Sequence, residues 1–334
     1  MARFEDTGPG VPVVESIRVD KVSPTARIFG GVRALIVLAF AIIGLIPVVV
    51  MASTAFKTRA DIVSTPPKVL FQPTLQGLVY LLTERAVASP SRLEELKKNA
   101  ETGNLTFFQQ IALDSGQEIT GPSDYIFRLR NSLIIAGFST LASVVLGLFS
   151  AYAFSRFNVP GKDDLLFFIL STRMLPAVVV TIPLFLMYRQ LGLHDKHLGM
   201  ILLYTVFNLS FSVWLLKGFI DEIPREYEEA ALVDGYTRWQ AFYKIVLPQA
   251  VTGIAATTVF CLIFAWNEYA FALMMTSDNA QTAPPAIATM LGRGGIEWSA
   301  IAAGTLGFLI PVVIVTFTLR KYLLRGITFG AIRR

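Results

Sequence analysis

Six apolar runs, each about twenty residues long, constrain this chain more than any other feature of its sequence. They lie near residues 33–54, 132–155, 165–188, 198–219, 251–275 and 299–320. A helix of that length crosses the roughly 30 Å hydrocarbon core of a bilayer. The apolar character is continuous rather than alternating, which excludes the strands of a membrane barrel. Because only helices satisfy their own backbone in lipid at this length, the runs predict an all-α membrane protein with six transmembrane helices.

Composition supports this interpretation and excludes several others. Hydrophobic residues make up 54% of the chain and charged residues 16%, which is typical of a polytopic membrane protein. The net charge of +5 does not indicate nucleic-acid binding, because the basic residues gather at the ends of apolar runs. The single cysteine, Cys261, lies inside an apolar run, so no intrachain disulfide is expected. The first thirty residues lack the apolar core of a signal peptide, so we expect an uncleaved first span.

Lysine and arginine predict the orientation of the spans. The tails 1–32 and 321–334 are rich in basic residues, and with six spans both tails lie on one side, which the positive-inside rule makes the cytoplasm. Residues 33–320 then form the transmembrane domain, with an extracytoplasmic insertion at 56–130 and a cytoplasmic loop at 221–250. The basic residues of the tails that carry the argument are Arg3, Arg18, Lys21, Arg27, Arg33, Arg320, Lys321, Arg325, Arg333 and Arg334.

The insertion predicts one charged helix. Ser91 with Glu94 three residues later has the spacing of a capping box, which starts a helix through about Ala100. Two interpretations of this helix stay open: a solvated surface element, or part of a platform for an extracytoplasmic binding protein.

The polar loop 221–250, DEIPREYEEAALVDGYTRWQAFYKIVLPQA, predicts two short helices. Pro224 suits the first position of a helix that runs to Val233. That helix ends at Asp234-Gly235, where glycine adopts the left-handed conformation of a helix stop. Thr237 and Gln240 then form a capping-box pair that starts the second helix, which Pro248 closes.

The same loop carries a resemblance to a known family. Glu229-Ala230-Ala231, Gly235 and Ile245-x-Leu247-Pro248 resemble the EAA loop of ABC-importer permeases, and Tyr236 departs from that pattern where a small residue is expected. The resemblance covers residues 33–334 and is most similar to the MalG-like carbohydrate permeases, although 83–125 matches nothing specific. Outside the loop it is carried by Phe71–Thr74, Asn131-Ser132, Trp266-Asn267-Glu268 and Gly326–Arg334.

The resemblance implies a six-transmembrane-helix ABC importer permease bundle with a cytoplasmic coupling helix. It implies four kinds of partner: a homologous second permease subunit, two ATPase subunits, an extracytoplasmic solute-binding protein and a carbohydrate substrate (sugar, oligosaccharide or polyol). ATP and Mg would be bound by the ATPase, because this sequence contains no G-x-x-x-x-G-K-[ST] phosphate loop. We therefore expect no cofactor and no catalytic residue in this chain. The residues assigned to the ATPase-coupling loop are Glu226, Glu228, Glu229, Ala230, Ala231, Asp234, Gly235, Ile245, Leu247 and Pro248.

Polar residues inside the spans are the second set of candidates. Arg173 and Glu268 are charges within apolar runs, and such charges are costly unless they serve a function. With Asn208 and Asn267 they form the candidate translocation pathway or permease interface. Structural alternatives stay open: snorkelling of Arg173, an ion pair between Arg173 and Glu268, and interhelical hydrogen bonds from amides.

Weaker candidates are Asn131, Ser210 and the pair His194 and His197. The two histidines flank Asp195 and could hold a metal, but a solvent-exposed turn needs none and no further ligand cluster is apparent, so we expect no metal site.

Three other function classes were weighed against the importer permease. An ABC permease for a non-carbohydrate solute shares the EAA loop, so carbohydrate specificity depends on the resemblance outside it. An ion-coupled secondary transporter needs membrane-buried carboxylates, and only Glu268 qualifies. A membrane enzyme needs a clustered nucleophile, base or metal set, which the sequence does not offer. The loop glutamates Glu226, Glu228 and Glu229 are all expected to face solvent or a basic partner surface.

Overall fold

The described part of the first unit, residues 24–50, is a single apolar helix. The computed structural model describes residues 24–292 and 295–329, and the chain divides into two units between Val50 and Met51. Helix α1 (Pro24–Ala55) begins nine residues before the predicted first span, and its side chains from residue 30 to residue 50 are all exposed. The predicted tail residues at 1–23 and 330–334, including Arg3, Arg18, Lys21, Arg333 and Arg334, lie outside the described residues.

In the second unit, the insertion forms a small folded layer. Its elements are α2 (Arg59–Ile62), α3 (Gln76–Leu82), β1 (Thr83–Val87), α4 (Pro90–Glu101), α5 (Phe107–Ser115) and β2 (Gln117–Pro122). Strands β1 and β2 pair antiparallel, from Thr83 opposite Pro122 to Val87 opposite Gln117, and α4 and α5 fill the connection between them. The layer has its own buried side chains, Tyr80, Leu96 and Ile111, so it is a structured unit rather than a simple connecting loop.

The predicted start of the charged helix in the insertion is wrong by two residues. Ser89, not Ser91, is the N-cap, and its hydroxyl accepts a hydrogen bond from the amide of Arg92. Pro90 takes the first helical position, where its missing N–H has no partner to lose. The predicted extent of the helix to about Ala100 is confirmed, since α4 ends at Glu101.

Helices α6 (Tyr125–Arg156) and α9 (His197–Asp221) form the centre of the second unit. The buried face of α6 repeats small residues at helical spacing. In a membrane the hydrophobic effect does not drive helices together, and small residues instead allow close packing between them. A Cβ built on Gly147 would lie 2.5 Å from Cβ of Ser212, which measures how close the two helices are. The hydroxyl of Ser143 also donates to the carbonyl of Thr205 at 3.2 Å. The small buried residues of α6 are Ala136, Ser139, Ser143, Gly147 and Ala151.

The third apolar run is broken rather than continuous. Helix α7 (Lys162–Ser171) passes through a single 3₁₀ turn to Met174, and α8 (Ala177–Gln190) leaves at 95° to it. Proline disfavours the helical conformation in the residue before it, and Leu175, which precedes Pro176, is extended with φ −69° and ψ 125°. Pro176 and Pro183 are both helix breakers that predict a bend in this run. The bend lies at Pro176, whereas Pro183 lies inside α8, and the run predicted as one span at 165–188 is a sharply bent pair of helices.

The remaining elements follow α9 in chain order. They are α10 (Glu226–Val233), α11 (Arg238–Ala241), a π-helical turn (Phe242–Val246), α12 (Leu247–Gln249), α13 (Val251–Trp266), α14 (Ala270–Met275), α15 (Ala283–Ala288), β3 (Leu291–Gly292), β4 (Gly295–Ile296) and α16 (Trp298–Phe329). The fifth apolar run, predicted as one span at 251–275, is interrupted after Trp266. The fourth and sixth runs are confirmed as single helices.

The span count depends on how the bent helices are counted. Within the described residues, α1, α6, α9 and α16 are each long and apolar enough to cross a membrane. Two bent pairs meet the same criterion together, Lys162–Met174 with Val179–Gln190 and Arg238–Gln249 with Val251–Trp266. Counting each pair as one span gives six, which agrees with the predicted number.

The close contact between α6 and α9 predicts different outcomes for two glycines of α6. Gly147→Ala should destabilise the protein by about 1–3 kcal/mol, because the added methyl group overpacks against Ser212. Gly137→Ala is the matched control, since a Cβ at Gly137 meets nothing within 4 Å. Alanine should there add up to about 1 kcal/mol of helix propensity. Thermal unfolding of the detergent-solubilised variants, followed by circular dichroism, measures both, and equal melting temperatures would contradict the close packing.

Candidate functional site

The loop 221–250 adopts the local structure that its glycine and capping residues dictate. Helix α10 ends at Asp234, and Gly235 has φ +88°, the left-handed conformation predicted for it. The capping box is confirmed: the Thr237 hydroxyl accepts from the Gln240 amide, and the Gln240 side chain accepts from the Thr237 amide at 2.8 Å. Two boundaries differ from prediction. Helix α10 begins at Glu226 rather than Pro224, and Pro248 lies inside α12, one residue before its end.

A buried ion pair fastens α10 to the end of α6. The Arg156 guanidinium donates through Nε to Glu228 and through Nη2 to the carbonyl of Ile223 at 2.8 Å. Glu228 also accepts from the Tyr152 hydroxyl at 2.8 Å. The side chains of Arg156 and Glu228 are 6% and 10% exposed, so both charges are removed from water and depend on each other. This geometry corrects the prediction that Glu228 faces solvent or a partner.

A second set of polar contacts ties the start of the loop to the same helix end. The Ser155 hydroxyl donates to Asp221 at 2.5 Å, and Arg225 donates to the Ser155 carbonyl at 2.7 Å. Lys217 pairs with Asp221 from one turn earlier in α9. The Ser155 carbonyl, one of the last carbonyls of α6 that have no partner within the helix, thus receives a donor from the loop.

Aromatic packing holds the second half of the loop. Phe242 lies 4.7 Å from Tyr152 and 5.8 Å from Phe149 between ring centroids, and Trp239 stacks on Phe149 at 6.0 Å. Phe242 and Val246 are buried with Leu148 in one apolar cluster. Both halves of the loop therefore rest on the last two turns of α6.

The outer side of the loop is an open groove of about 490 Å³. Its floor and walls combine the end of α10 with the π-helical turn and α12. The lining residues are Tyr227, Ala230, Ala231, Asp234, Tyr236, Ile245 and Gln249. Tyr236, the departure from the EAA pattern, is one wall, and the Lys244 ammonium lies 4.8 Å from the centre of its ring. Glu226, Glu229 and Pro248 are exposed beside the groove, whereas Leu247 packs partly into the apolar cluster.

The polar candidates of the spans meet at a cavity of about 280 Å³. Arg173, Asn208 and Glu268 line it, together with Tyr204 and Phe264. No ion pair joins Arg173 to Glu268 among the described residues. Arg173 donates to the Phe207 carbonyl at 3.0 Å and lies 4.2 Å from the ring centre of Phe264.

Glu268 caps the start of a helix, and Asn208 donates a hydrogen bond to a backbone carbonyl. Glu268 accepts from the Tyr204 hydroxyl at 2.7 Å and from the amides of Phe271 and Ala272, so it caps α14 at the break in the fifth run. Asn208 donates to the carbonyl of Cys261 at 3.1 Å. Asn267 does not line the cavity: it is exposed and donates to the Ile263 carbonyl of its own helix.

The histidine turn serves structure in this fold. His197 Nε2 lies 2.8 Å from the Asn131 amide oxygen, and Asp195 accepts from the backbone amides of residues 277–280. Burial raises the pKa of Asp195, but these four amides outweigh burial and bring its pKa to about 2. Asp195 thus links the α8–α9 turn to the segment after α14.

Sequence reasoning missed Arg156 and Tyr152 as parts of this site. In the sequence, Arg156 is one of several basic residues at the ends of apolar runs, and Tyr152 lies within such a run. One signal was available, because Tyr152 and Arg156 are four residues apart and therefore share one helix face, opposite a loop rich in glutamate.

The buried ion pair predicts unequal roles for two neighbouring glutamates of α10. Glu228→Ala leaves Arg156 buried without its counter-charge, a change that costs about 3–5 kcal/mol. The loop should then open more often, and trypsin should cut it faster at Arg225, Arg238 and Lys244. Glu226→Ala is the matched control, since Glu226 is exposed on the same helix. Limited proteolysis of the purified protein, read by mass spectrometry, compares them, and equal cleavage rates would contradict the anchoring role.

Comparison with known proteins identifies the family to which this architecture belongs. Residues 143–329 match the family model of the binding-protein-dependent transport system inner membrane component. The probable ABC transporter permease protein y4oR of Sinorhizobium fredii is 30% identical over 89% of this chain and 92% of its own length. The trehalose transport system permease protein SugB of Mycobacterium tuberculosis is 38% identical over 61% of this chain and 76% of its own.

A solved structure shares the fold. The crystal structure of a bacterial ABC transporter involved in the import of the acidic polysaccharide alginate contains a chain with a TM-score of 0.61 and 22% identity. The match covers 90% of this chain and 98% of that one. With more than half of its length matched by the family model, this chain belongs to the inner-membrane components of binding-protein-dependent transport systems, the permease subunits of ABC transporters.

Proposed function

We propose that this permease moves a carbohydrate across the cytoplasmic membrane and is driven by a separate ATPase that docks in the groove of loop 221–250. The observation that carries the proposal is the contrast between the two sides of α10. One side is fixed to α6 through buried charges and aromatic rings. The other side is an open groove with small residues at Ala230 and Ala231, the kind of surface that a partner helix or cleft can approach closely.

The anchoring of the loop supplies the mechanical step. Because Glu228, Ile223 and Phe242 all contact the last turns of α6, a displacement of the loop is passed to α6 and to α9, which packs closely against it. Rigid-body movement of packed helices is an established way to switch a bundle between two states. ATP-driven closure of the ATPase would thus alternate inward and outward access.

The cavity lined by Arg173, Asn208 and Glu268 is the proposed part of the translocation pathway. It lies where two helices are broken, after Met174 and after Trp266, and broken helices are tolerated in a membrane where they line a cavity. Its hydrogen-bonding side chains suit a hydroxylated solute. Asn267, exposed on another face, is proposed as a contact of the second permease subunit.

The proposed assembly contains this chain, a homologous permease, two ATPase subunits that bind ATP and Mg, and an extracytoplasmic solute-binding protein. Both termini and the loop 221–250 would lie in the cytoplasm, and the insertion outside. The family match supports the binding protein, and the lack of a phosphate loop in this sequence supports a separate ATPase. Similarity to SugB, together with the resemblance around Trp266–Glu268, supports a carbohydrate as the solute.

Filling the groove should uncouple transport from ATP hydrolysis. Ala230→Trp places an indole in the groove and should weaken ATPase binding by at least about tenfold, equivalent to about 1.4 kcal/mol. Val233→Trp is the matched control, because Val233 is 88% exposed on the same helix and does not line the groove. Co-purification with the ATPase and ATP-driven uptake of trehalose into proteoliposomes measure both variants.

The same assay separates the alternatives. Uptake that is equal in the two tryptophan variants would contradict docking in the groove. ATP-driven uptake of an amino acid or phosphate in place of any sugar would contradict carbohydrate as the solute, but it would leave docking of the ATPase in the groove intact. Uptake by this chain without an ATPase, driven by an ion gradient, would indicate a secondary transporter.

A further inference from the structure

A second polar cavity lies in the insertion, far along the chain from the coupling loop. It measures about 360 Å³ and is bounded by α3, α5, β2 and the residue that precedes α16. All the residues that line it carry a polar or charged group, and they are Arg59, Gln76, Tyr80, Asp114, Ser115, Gln117 and Glu297. Neither the groove of loop 221–250 (the coupling groove) nor the cavity at Arg173 shares any of these residues.

Glu297 is a buried carboxylate at the wall of this cavity. Its side chain is 7% exposed, and it accepts no hydrogen bond from any residue that the structure describes. The nearest charge, Arg85 Nη1, is 3.8 Å away, which is too long for a hydrogen bond. A buried polar group without a partner costs free energy, so such a group that lines a cavity points to a ligand.

Arg85 is fixed beside the cavity and cannot move to satisfy Glu297. It donates to the Gln117 amide oxygen at 2.8 Å, and its guanidinium stacks on the Tyr80 ring at 3.7 Å. Desolvation lowers its pKa, and the Glu297 carboxylate opposes that effect. Arg85 and Glu297 are therefore held 3.8 Å apart, and Glu297 lines the cavity.

The other lining groups leave acceptors and one donor available. Gln76 uses its amide nitrogen on the Tyr80 hydroxyl, and Asp114 uses Oδ1 on Gln110, so the Gln76 oxygen and Asp114 Oδ2 lack partners among the described residues. Gln117 has given its oxygen to Arg85, and its amide nitrogen is the matching donor. A ligand that fits must both donate and accept, as a hydroxyl group does.

We propose that this cavity binds one ring of a neutral carbohydrate on the extracytoplasmic side of the protein, at a site separate from the translocation pathway. Two guanidinium groups, Arg59 and Arg85, offset the carboxylates of Asp114 and Glu297, so the cavity favours neither an anion nor a cation. Its volume is at the small end of the roughly 300–1,000 Å³ range of ligand sites, which suits one ring of a sugar rather than a long chain. The class of ligand and the side of the membrane rest on the proposed function.

Local hydrogen exchange tests the site without relying on transport. The full chain, assembled with its partner subunits in lipid nanodiscs and without binding protein, is incubated with glucose, maltose or trehalose. Amide exchange in residues 76–87 and 107–118 should slow by about tenfold when a sugar is present at ten times its dissociation constant. Glycine betaine at the same concentration controls for general osmolyte effects and should not slow exchange.

Matched substitutions show whether the protection comes from this cavity. Asp114→Ala removes a lining carboxylate at an exposed position and should abolish the protection. Asp124→Ala removes an exposed carboxylate outside the cavity, paired with Arg128, and should leave it intact. Melting temperatures of both variants confirm that the fold is kept.

The outcomes separate this proposal from the proposed function. Absence of protection with all three sugars, or equal protection in Asp114→Ala and the wild type, would overturn the cavity site. In a third outcome, the assembly takes up no sugar while a sugar still slows exchange and Asp114→Ala removes that effect. This result would support the cavity site and would contradict only the proposed carbohydrate transport.

Discussion

The guanidinium group of Arg156 is the contact on which the functional side of this protein depends. It stands at the last residue of α6, where a membrane helix meets a polar loop, and it donates at once to a carboxylate and to a loop carbonyl. A planar group with five donors is suited to such a junction, since it can satisfy several acceptors without changing its conformation. With Arg156 and Glu228 both buried, the loop is attached firmly to the end of α6.

Two of the apolar runs are interrupted inside the bundle, and these breaks place charged side chains there. Pro176 interrupts the third apolar run, and Glu268 caps a new helix after the interruption in the fifth. Each break exposes backbone groups that must be satisfied within the bundle, and Glu268 accepts hydrogen bonds from two such amides, those of Phe271 and Ala272. Arg173, beside the other break, donates to the Phe207 carbonyl of the unbroken helix α9. Both charged residues, which are costly inside an apolar run, therefore make hydrogen bonds to the backbone. They also line the cavity beside the two breaks.

Local rules predicted much of the loop, and tertiary contacts decided the rest. The left-handed Gly235, the capping box of Thr237 and the break at Pro176 depend on neighbours in the chain, so the sequence was enough to place them. Which face of α10 is buried depends on where α6 ends, and this information is absent from the loop itself. Glu228 was therefore assigned wrongly, although Glu226 and Glu229 on the same short helix are exposed as predicted.

In the insertion, too, local sequence predicted a helix but not the contacts between distant segments. Its charged helix was predicted from the spacing of Ser91 and Glu94, with a start two residues too late. The pairing of β1 with β2 joins segments some thirty residues apart, and neither strand is long or apolar enough to be recognised alone. The cavity beside Glu297 depends on that pairing and on the start of α16, more than two hundred residues after α3, so no local pattern could have predicted it.

The environment of Cys261 has a practical consequence for studying the transport cycle. Its thiol is fully buried against Ser212 between α9 and α13, and the sequence holds no other cysteine. Water-soluble thiol reagents should therefore leave the native chain unlabelled, because reaction requires an accessible thiolate. Single cysteines can be introduced into the coupling groove, the broken helices or the insertion and labelled in the otherwise unmodified protein, without first replacing a residue at the contact between two central helices.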